Sequence, residues 1–229
     1  MVKDDAAAWQ WIEAAAKQGH PVAQFNAGLL CVQGRNTGSS VGGAAAAAAW
    51  WLRAAEQGHP GAQHRFACLR YDGALGVPAS TDDAVQWWRA AAAQGHAEAQ
   101  CALGCVHQRG SACGSVPVNL AQAAVLFEQA AQGGSADGAY HLAYFYAEGV
   151  GAEKDLEVAT ALLQLAANRG HAPARAMLRR LQQQAPAGAQ QPPQSTSAAR
   201  LSASADDDAA GPEEDGDLPN LDESAVREP

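Results

Sequence analysis

The stretch WRAAAAQGHAEAQCALG, residues 88–104, carries the pattern that decides the fold. Four near copies accompany it: WIEAAAKQGHPVAQFNAG from Trp11, WLRAAEQGHPGAQHRFA from Trp51, LFEQAAQGGSADGAYHLA from Leu126 and LLQLAANRGHAPARAML from Leu162. Each copy contains one glycine at the same place, here called the pivot glycine: Gly19, Gly58, Gly95, Gly134 and Gly170. Successive pivot glycines are 39, 37, 39 and 36 residues apart. A repeat of this length corresponds to two helices and two turns, which predicts a stacked array of helix pairs.

An apolar stripe marks the first helix of each pair. In the third copy it consists of Ala84, Trp87, Trp88, Ala91 and Ala92, spaced as i, i+3, i+4, i+7 and i+8. The first two copies have the same stripe: Ala8, Trp11, Ile12, Ala15 and Ala16, then Ala47, Trp50, Trp51, Ala54 and Ala55. We therefore expect the stripe tryptophans to pack in the core: Trp11, Trp50, Trp51, Trp87 and Trp88.

The turn between the two helices is also marked in the sequence. A glycine after a helix tolerates the left-handed conformation that ends it, and a proline fits the first turn of the next helix. The pairs Gly19 with Pro21 and Gly58 with Pro60 follow this rule. The second helices carry a small residue nine positions after the pivot glycine, where a neighbour can pack against bare backbone: Gly28, Ala67, Gly104 and Ala143.

These motifs resemble the Sel-one-like repeat, a relative of the tetratricopeptide repeat. The resemblance covers about residues 5–184 and implies an all-α fold, a right-handed α-α superhelical solenoid of five helix-turn-helix repeats that scaffolds or adapts other proteins. We place the repeats at about 5–43, 44–80, 81–118, 119–154 and 155–184.

Nearly all of the net charge of −9 lies outside this region. Residues 1–184 have a net charge of −1, whereas residues 185–229 have a net charge of −8. Residues 185–229 are rich in Gln, Pro and Ala, then acidic, and contain no aromatic residue. Such a segment cannot bury enough apolar surface to offset its ordering entropy, so we predict a disordered acidic tail.

Composition disfavours two classes of partner. The chain has only three lysines and no basic cluster, whereas nucleic-acid binding needs a positive surface, so we expect no nucleic-acid partner. It has no apolar run near 18 residues and no signal-peptide pattern after Met1, so we expect no membrane insertion. These features predict a cytoplasmic protein, with a nuclear location left open.

The five cysteines are Cys31, Cys68, Cys101, Cys105 and Cys113. An odd number leaves at least one thiol unpaired, and the cysteine pairs that staple helical hairpins in secreted relatives have no counterpart here. We therefore expect reduced thiols, with Cys68 and Cys105 as packing residues. A zinc site built from Cys101, Cys105, His107 and Cys113 is disfavoured, because Cys105 and His107 lie about 200° apart around a helix. We predict neither a metal site nor a cofactor.

The recurrent histidines His20, His59, His96 and His171 follow the pivot glycines. Equivalent positions on adjacent repeats lie about 10 Å apart, too far for one metal ion, so we expect a role in the turn. Sensing of pH is the alternative.

No catalytic motif supports an enzyme. A β-lactamase-like hydrolase, the activity described for cysteine-rich relatives, would need a serine and lysine in a Ser-x-x-Lys motif, which the sequence lacks. We therefore predict a non-catalytic protein, with this hydrolase as the alternative.

A superhelix of helix pairs exposes its first helices along a continuous concave groove, where a partner protein or peptide can bind. The residues off the apolar stripe are the expected contacts: Trp9, Glu13, Lys17, Leu52, Arg53, Glu56, Gln86, Arg89, Glu128, Gln132 and Gln164. Trp9, Arg53 and Arg89 lead this set because aromatic and arginine side chains dominate interface energies. Alternatively, Trp9 covers the exposed end of the first repeat. We expect a monomer. Two further alternatives are a carrier for a short linear motif in the acidic tail and a fragment of a longer array.

Overall fold

The computed structural model describes residues 5–35, 43–111 and 114–184. Within these ranges the chain forms ten α-helices and no β-strand: α1 (Asp5–Lys17), α2 (Pro21–Val32), α3 (Ala44–Glu56), α4 (Pro60–Asp72), α5 (Thr81–Ala92), α6 (Ala97–Arg109), α7 (Leu120–Gln132), α8 (Ala136–Glu148), α9 (Leu156–Asn168) and α10 (Ala172–Gln184). The predicted all-α array of five helix pairs is confirmed. The predicted tail and Cys113 lie outside the described residues.

The turn inside each pair is built from the pivot glycine and the residue after it. All five pivot glycines have φ between 83° and 96°, a backbone conformation that residues with a side chain rarely adopt. In four of the five pairs the side chain of the next residue caps the second helix, whereas His20 in the first pair makes no capping hydrogen bond. The Nδ1 atoms of His59, His96 and His171 accept hydrogen bonds from backbone N–H groups three residues later, at 3.0–3.3 Å. These three histidines therefore act in the turn, as expected, and an Nδ1 atom that accepts a hydrogen bond carries no proton.

Each pair packs most extensively through its second helix, against the first helix of the following pair. A small residue on the second helix makes this close approach possible. A Cβ atom added to Gly28 would lie 2.3 Å from Nε1 of Trp51, and one added to Gly104 would lie 2.6 Å from Cε1 of Phe127. The Trp51 indole instead donates a hydrogen bond to the Phe25 carbonyl at 3.1 Å. The position nine residues after the pivot glycine thus receives a ring from the next repeat.

Buried glutamines tie the helix ends together. Gln24 and Gln63, five residues after their pivot glycines, each donate a hydrogen bond to a carbonyl in the last turn of the preceding first helix, at 3.2 and 3.3 Å. Their Oε1 atoms accept hydrogen bonds from the side chains of Gln57 and Gln94, at 2.7 and 2.9 Å. Gln57 and Gln94 lie just after the C-terminal ends of α3 and α5, the first helices of the following pairs. These four residues, here called the glutamine ladder, link three helices at each of two junctions.

The ladder stops at the third junction. Gln100 donates to the Ala92 carbonyl at 3.4 Å, but Gly133 occupies the place where a glutamine would donate to its Oε1 atom. That oxygen is buried and has no hydrogen-bond partner among the described residues. At the fourth junction Ala139 takes the place of the buried glutamine and has no side-chain amide. There the side chain of Arg169 donates a hydrogen bond to the Ala131 carbonyl at 3.0 Å. The same function is therefore carried by different residues along the array.

Candidate functional site

Two rows of side chains run along one face of the first helices. One row lies six residues before each pivot glycine and contains Glu13, Leu52, Arg89, Glu128 and Gln164. The other lies two residues before it and includes Lys17, Glu56 and Gln132. Because four residues make about one helical turn, the two rows are adjacent on each helix. With the neighbouring Arg53 and Gln86, these ten residues are here called the first-helix face.

The first-helix face is accessible to a partner. Eight of its ten side chains are exposed, and Glu13 and Leu52 are half-buried. Lys17 forms an ion pair with Glu13 at 3.0 Å. The guanidinium of Arg53 lies 5.0 Å from the centre of the Trp50 ring, a cation–π contact that orients it.

Most polar side chains of the first-helix face have no hydrogen bond or ion pair within the protein. In the described part of the chain, six of them form neither: Arg53, Glu56, Gln86, Arg89, Glu128 and Gln132. Their hydrogen-bonding groups can therefore bind another molecule without first breaking internal bonds.

Comparison between repeats separates packing from surface positions. The positions four and three residues before the pivot glycine are alanine in every repeat, and eight of these ten alanines are buried. In contrast, the position six residues before it holds Glu, Leu, Arg, Glu and Gln in turn. The first-helix face thus presents a different chemical group at every step, as specific recognition of one segment requires.

The prediction that Trp9 lies on the binding surface is wrong. Its side chain is only 2% exposed and packs with Cys31 and Ala27 in the core of the first pair. Trp9 lies three residues before Ile12, and these two side chains therefore share one helix side. A sequence stripe that includes Trp11 but omits Trp9 is rotated too far around α1.

The prediction that Trp11 lies in the core is also wrong, because its side chain is 79% exposed. Its counterparts Trp50 and Trp87 are half-buried, and Trp87 packs edge-on against Phe66 of the preceding pair at 5.9 Å. No helix precedes α1 in the described part of the chain, so Trp11 has no such surface to pack against. Trp51 and Trp88, each 4% exposed, are in the core as expected.

A second group of interest comprises Cys101 and Cys105 on α6 and His141 on α8, here called the thiol–imidazole cluster. The two sulfur atoms and a ring nitrogen all lie within 4.8 Å of one another, and Cys105 Sγ is 3.7 Å from His141 Nε2. The His141 ring is held in place, because it stacks on Phe127 with the ring centres 4.9 Å apart and the planes 15° apart.

The two thiols of this cluster differ in acidity. A hydrogen bond from the Cys101 thiol lowers the pKa of Cys105 to about 5, and His141 acts in the same direction, although burial opposes both. The same hydrogen bond, together with burial, raises the pKa of Cys101. Of the two thiols, Cys105 is therefore the more acidic.

The sequence does not point to this cluster, because its histidine lies on α8, whereas the histidine near the two cysteines in sequence is His107 on α6. His107 is not part of the cluster, and the third ligand atom comes from the next repeat. The expectation of unpaired thiols agrees with the structure, in which Cys31, Cys68, Cys101 and Cys105 are free. Burial raises the pKa of Cys31 and of Cys68, which makes these two thiols poor nucleophiles.

None of the ten helices in the described ranges is long and apolar enough to cross a membrane.

The helical array matches a known repeat family. The Sel1 repeat matches five times, at residues 1–20, 21–59, 60–96, 97–135 and 136–171. From the second match on, each match begins at a second helix and ends near the following pivot glycine, one helix out of phase with the repeats that we defined. No curated protein matches the chain.

Three solved structures are similar to the chain. A Sel1 repeat protein from Oxalobacter formigenes is 36% identical over 78% of this chain and 50% of its own, with a TM-score of 0.65. The protective antigen c5321 of uropathogenic Escherichia coli, which displays an SLR fold, is 28% identical over 89% of this chain and 41% of its own, with a TM-score of 0.66. Immunity protein Pa5087 from Pseudomonas aeruginosa shares the fold alone, at 16% identity, a TM-score of 0.52 and coverage of 90% of this chain and 69% of its own.

This chain therefore spans half or less of the first two of these proteins. The five matches nevertheless extend over three quarters of its length and coincide with helix pairs that share one turn chemistry. The chain belongs to the Sel1 repeat family.

Proposed function

We propose that this chain is a non-catalytic scaffold that binds an extended or helical segment of a partner protein along the first-helix face. Sel1 repeat proteins generally mediate protein–protein interactions. The observation that carries the proposal is the pair of accessible rows, whose residue types change at every repeat while the alanines beneath them do not.

The charges on this face favour a segment of mixed polarity. Arg53 and Arg89 lie in the second and third repeats, between Glu13 in the first and Glu128 in the fourth. Arg89 is exposed and has no ion-pair partner in the described ranges, so its guanidinium is available to a carboxylate of the partner. A partner segment with acidic groups facing Arg53 in the second repeat and Arg89 in the third fits this distribution best.

A scaffold role also suits the typical chemistry of the family. The Sel1 repeat fold is typically a non-catalytic scaffold. The sequence lacks the Ser-x-x-Lys motif that the alternative hydrolase would require. The cytoplasmic location, the monomeric state and the lack of a nucleic-acid partner stay predictions.

The experiment is affinity capture from the native lysate with matched variants. The baits are the full chain, residues 1–184, the variant Arg53→Glu with Arg89→Glu, and a control variant. The control, Arg65→Glu with Arg180→Glu, makes the same charge change at two exposed arginines on second helices.

We expect a captured protein to bind residues 1–184 and the control variant as it binds the full chain, and to bind the Arg53 and Arg89 variant at least about tenfold more weakly, because two interface arginines are lost. Titration of the identified partner, purified, measures the affinities. A partner that requires residues 185–229 and ignores the arginine variant would overturn the proposal and favour the acidic-tail alternative.

A further inference from the structure

We propose that Cys101, Cys105 and His141 form a zinc site that ties the third repeat to the fourth. The inference is independent of the proposed partner binding, because it rests on the second helices and not on the first-helix face. It concerns a different kind of ligand, a thiophilic metal ion.

The donor set suits zinc in both type and geometry. Thiolate and imidazole are the preferred ligands of Zn²⁺, and a tetrahedral site with bonds near 2.3 Å places its donor atoms about 3.7 Å apart. Cys105 Sγ and His141 Nε2 are already 3.7 Å apart, and no pair of the three donors exceeds 4.8 Å. Small side-chain rotations at the two cysteines, one helical turn apart on α6, would complete the set.

The cluster is prepared for a cation before any ion binds. Cys101 is 8% exposed, and such a buried group keeps its donor atom out of competition with bulk water. The stacking of His141 on the fully buried Phe127 fixes the ring plane, which lowers the entropy lost on binding.

Three protein ligands leave a fourth position open. Cys105 also lines an open cavity of about 210 Å³, together with residues of α4, α5 and α6. A water molecule entering from this cavity would supply the fourth ligand, so we infer a site of two sulfur atoms, one nitrogen atom and one exchangeable oxygen atom.

The position of the site gives it a mechanical consequence. Contact between consecutive second helices is closest for α6 and α8. A metal ion bonded to both helices would fix their distance and orientation at the middle of the array. It would act at the junction where the glutamine ladder is interrupted and Gln100 Oε1 has no partner in the described part of the chain.

The equivalent position in the second repeat provides an internal control. Cys68 lies 3.7 Å from Nε2 of His64, much as Cys105 lies from His141. In the described ranges, however, no third cysteine, histidine or carboxylate completes a cluster there. Cys68 is therefore a half-buried thiol beside an imidazole that we expect to bind no metal, and Cys68→Ser is the matched control.

The test uses the untagged full chain, reduced, stripped with a chelator and titrated with Co²⁺ and then Zn²⁺. We expect one Co²⁺ per chain with a thiolate-to-metal charge-transfer band and the d–d spectrum of a tetrahedral site, both displaced by one equivalent of Zn²⁺. Zinc should also raise Tm. Cys105→Ser and His141→Gln should each weaken binding by at least about 100-fold, whereas Cys68→Ser should not change it.

Two results would overturn the proposal: a stoichiometry well below one, or equal affinity in Cys105→Ser and in the unmodified chain. Circular dichroism checks that each variant is folded. Should His141→Gln fail to fold because Phe127 loses its stacking partner, the Cys105→Ser comparison still decides the question.

Discussion

Replacement of Gln63 by methionine removes the buried glutamine at the second junction of the glutamine ladder and keeps a similar side-chain volume. Gln63 is 5% exposed, donates to the Ala55 carbonyl at 3.3 Å and accepts from Gln94 at 2.9 Å. The Ala55 carbonyl keeps a hydrogen bond from the Gly58 amide at 2.9 Å, so it is not left unsatisfied. At about 1 kcal/mol for each net hydrogen bond, Gln63→Met should lower the free energy of unfolding by about 2 kcal/mol.

Gln100→Met is the matched control, because Gln100 makes the same type of contact with one bond fewer. Its single bond to the Ala92 carbonyl is long, at 3.4 Å, and its Oε1 atom has no partner among the described residues. The predicted loss is therefore about 1 kcal/mol or less. The apolar gain from methionine is similar at the two sites and cancels in the comparison.

Gly133→Gln tests the same idea in the opposite direction. A glutamine at this place can donate to Gln100 Oε1, as Gln94 does to Gln63. Its Cβ atom would lie 3.1 Å from the Cβ atom of Ala97, a cost common to both backgrounds, so Gly133→Gln should be about 1 kcal/mol more favourable in the unmodified chain than in Gln100→Met. Equilibrium urea denaturation of the full chain measures the free energies of unfolding of all five proteins, namely the unmodified chain, the three single variants and the double variant. The reasoning is refuted if Gln63→Met is no more destabilising than Gln100→Met, or if the Gly133→Gln effect is the same in both backgrounds.

Three further predictions concern packing and pH. Gly28→Ala should destabilise the fold by about 1–3 kcal/mol, because the added methyl group would meet the Trp51 ring, and urea denaturation should show no such loss when Trp51 is replaced by leucine. Burial lowers the pKa of His64 to about 4, so the unfolded chain takes up a proton that the folded chain resists. Stability should therefore fall between about pH 6.5 and pH 4, by up to about 3 kcal/mol, and less in His64→Gln; equal pH profiles for the two proteins would contradict this. Trp11→Ala should change the free energy of unfolding by less than about 0.5 kcal/mol, whereas Trp9→Ala should lower it by about 3–5 kcal/mol, and the reverse order would show that the two rings have been assigned to the wrong environments.

The array and its turns could be predicted from sequence because they rest on local rules that repeat five times. A glycine at the end of a helix, a proline or histidine after it and alanines at fixed spacing each have one dominant structural meaning. Repetition strengthens this signal, since an accidental match at Gly95 would not recur at Gly58 and Gly170.

The burial of Trp9 and the exposure of Trp11 could not be predicted from the sequence of α1 alone. Both rings lie on α1, and a helical pattern alone allows either to face the core. The choice depends on neighbours: Trp87 packs against Phe66 of the preceding pair, whereas no pair precedes Trp11 in the described ranges. Burial in the first described pair thus differs from burial in the pairs that follow it.

Side-chain contacts between repeats could not be predicted from the sequence either. His141 lies 36 residues from Cys105, and nothing in the spacing of the two cysteines points to it. The glutamines were visible as a repeated letter, but their role requires knowing that Gln94 reaches Gln63 across the junction. Such contacts depend on the angle at which successive pairs stack, which no local pattern sets.

The central claim is that a partner lies along the first-helix face, and site-specific photo-crosslinking in the native lysate tests it most directly. A photoreactive residue is placed at Gln86 or Glu128 on this face, or at the exposed Arg65 or Tyr144 on second helices. The account predicts a crosslinked partner from Gln86 and Glu128 and none from the other two positions. Crosslinking of the same partner from Arg65 or Tyr144 alone would contradict it and place binding on the second helices.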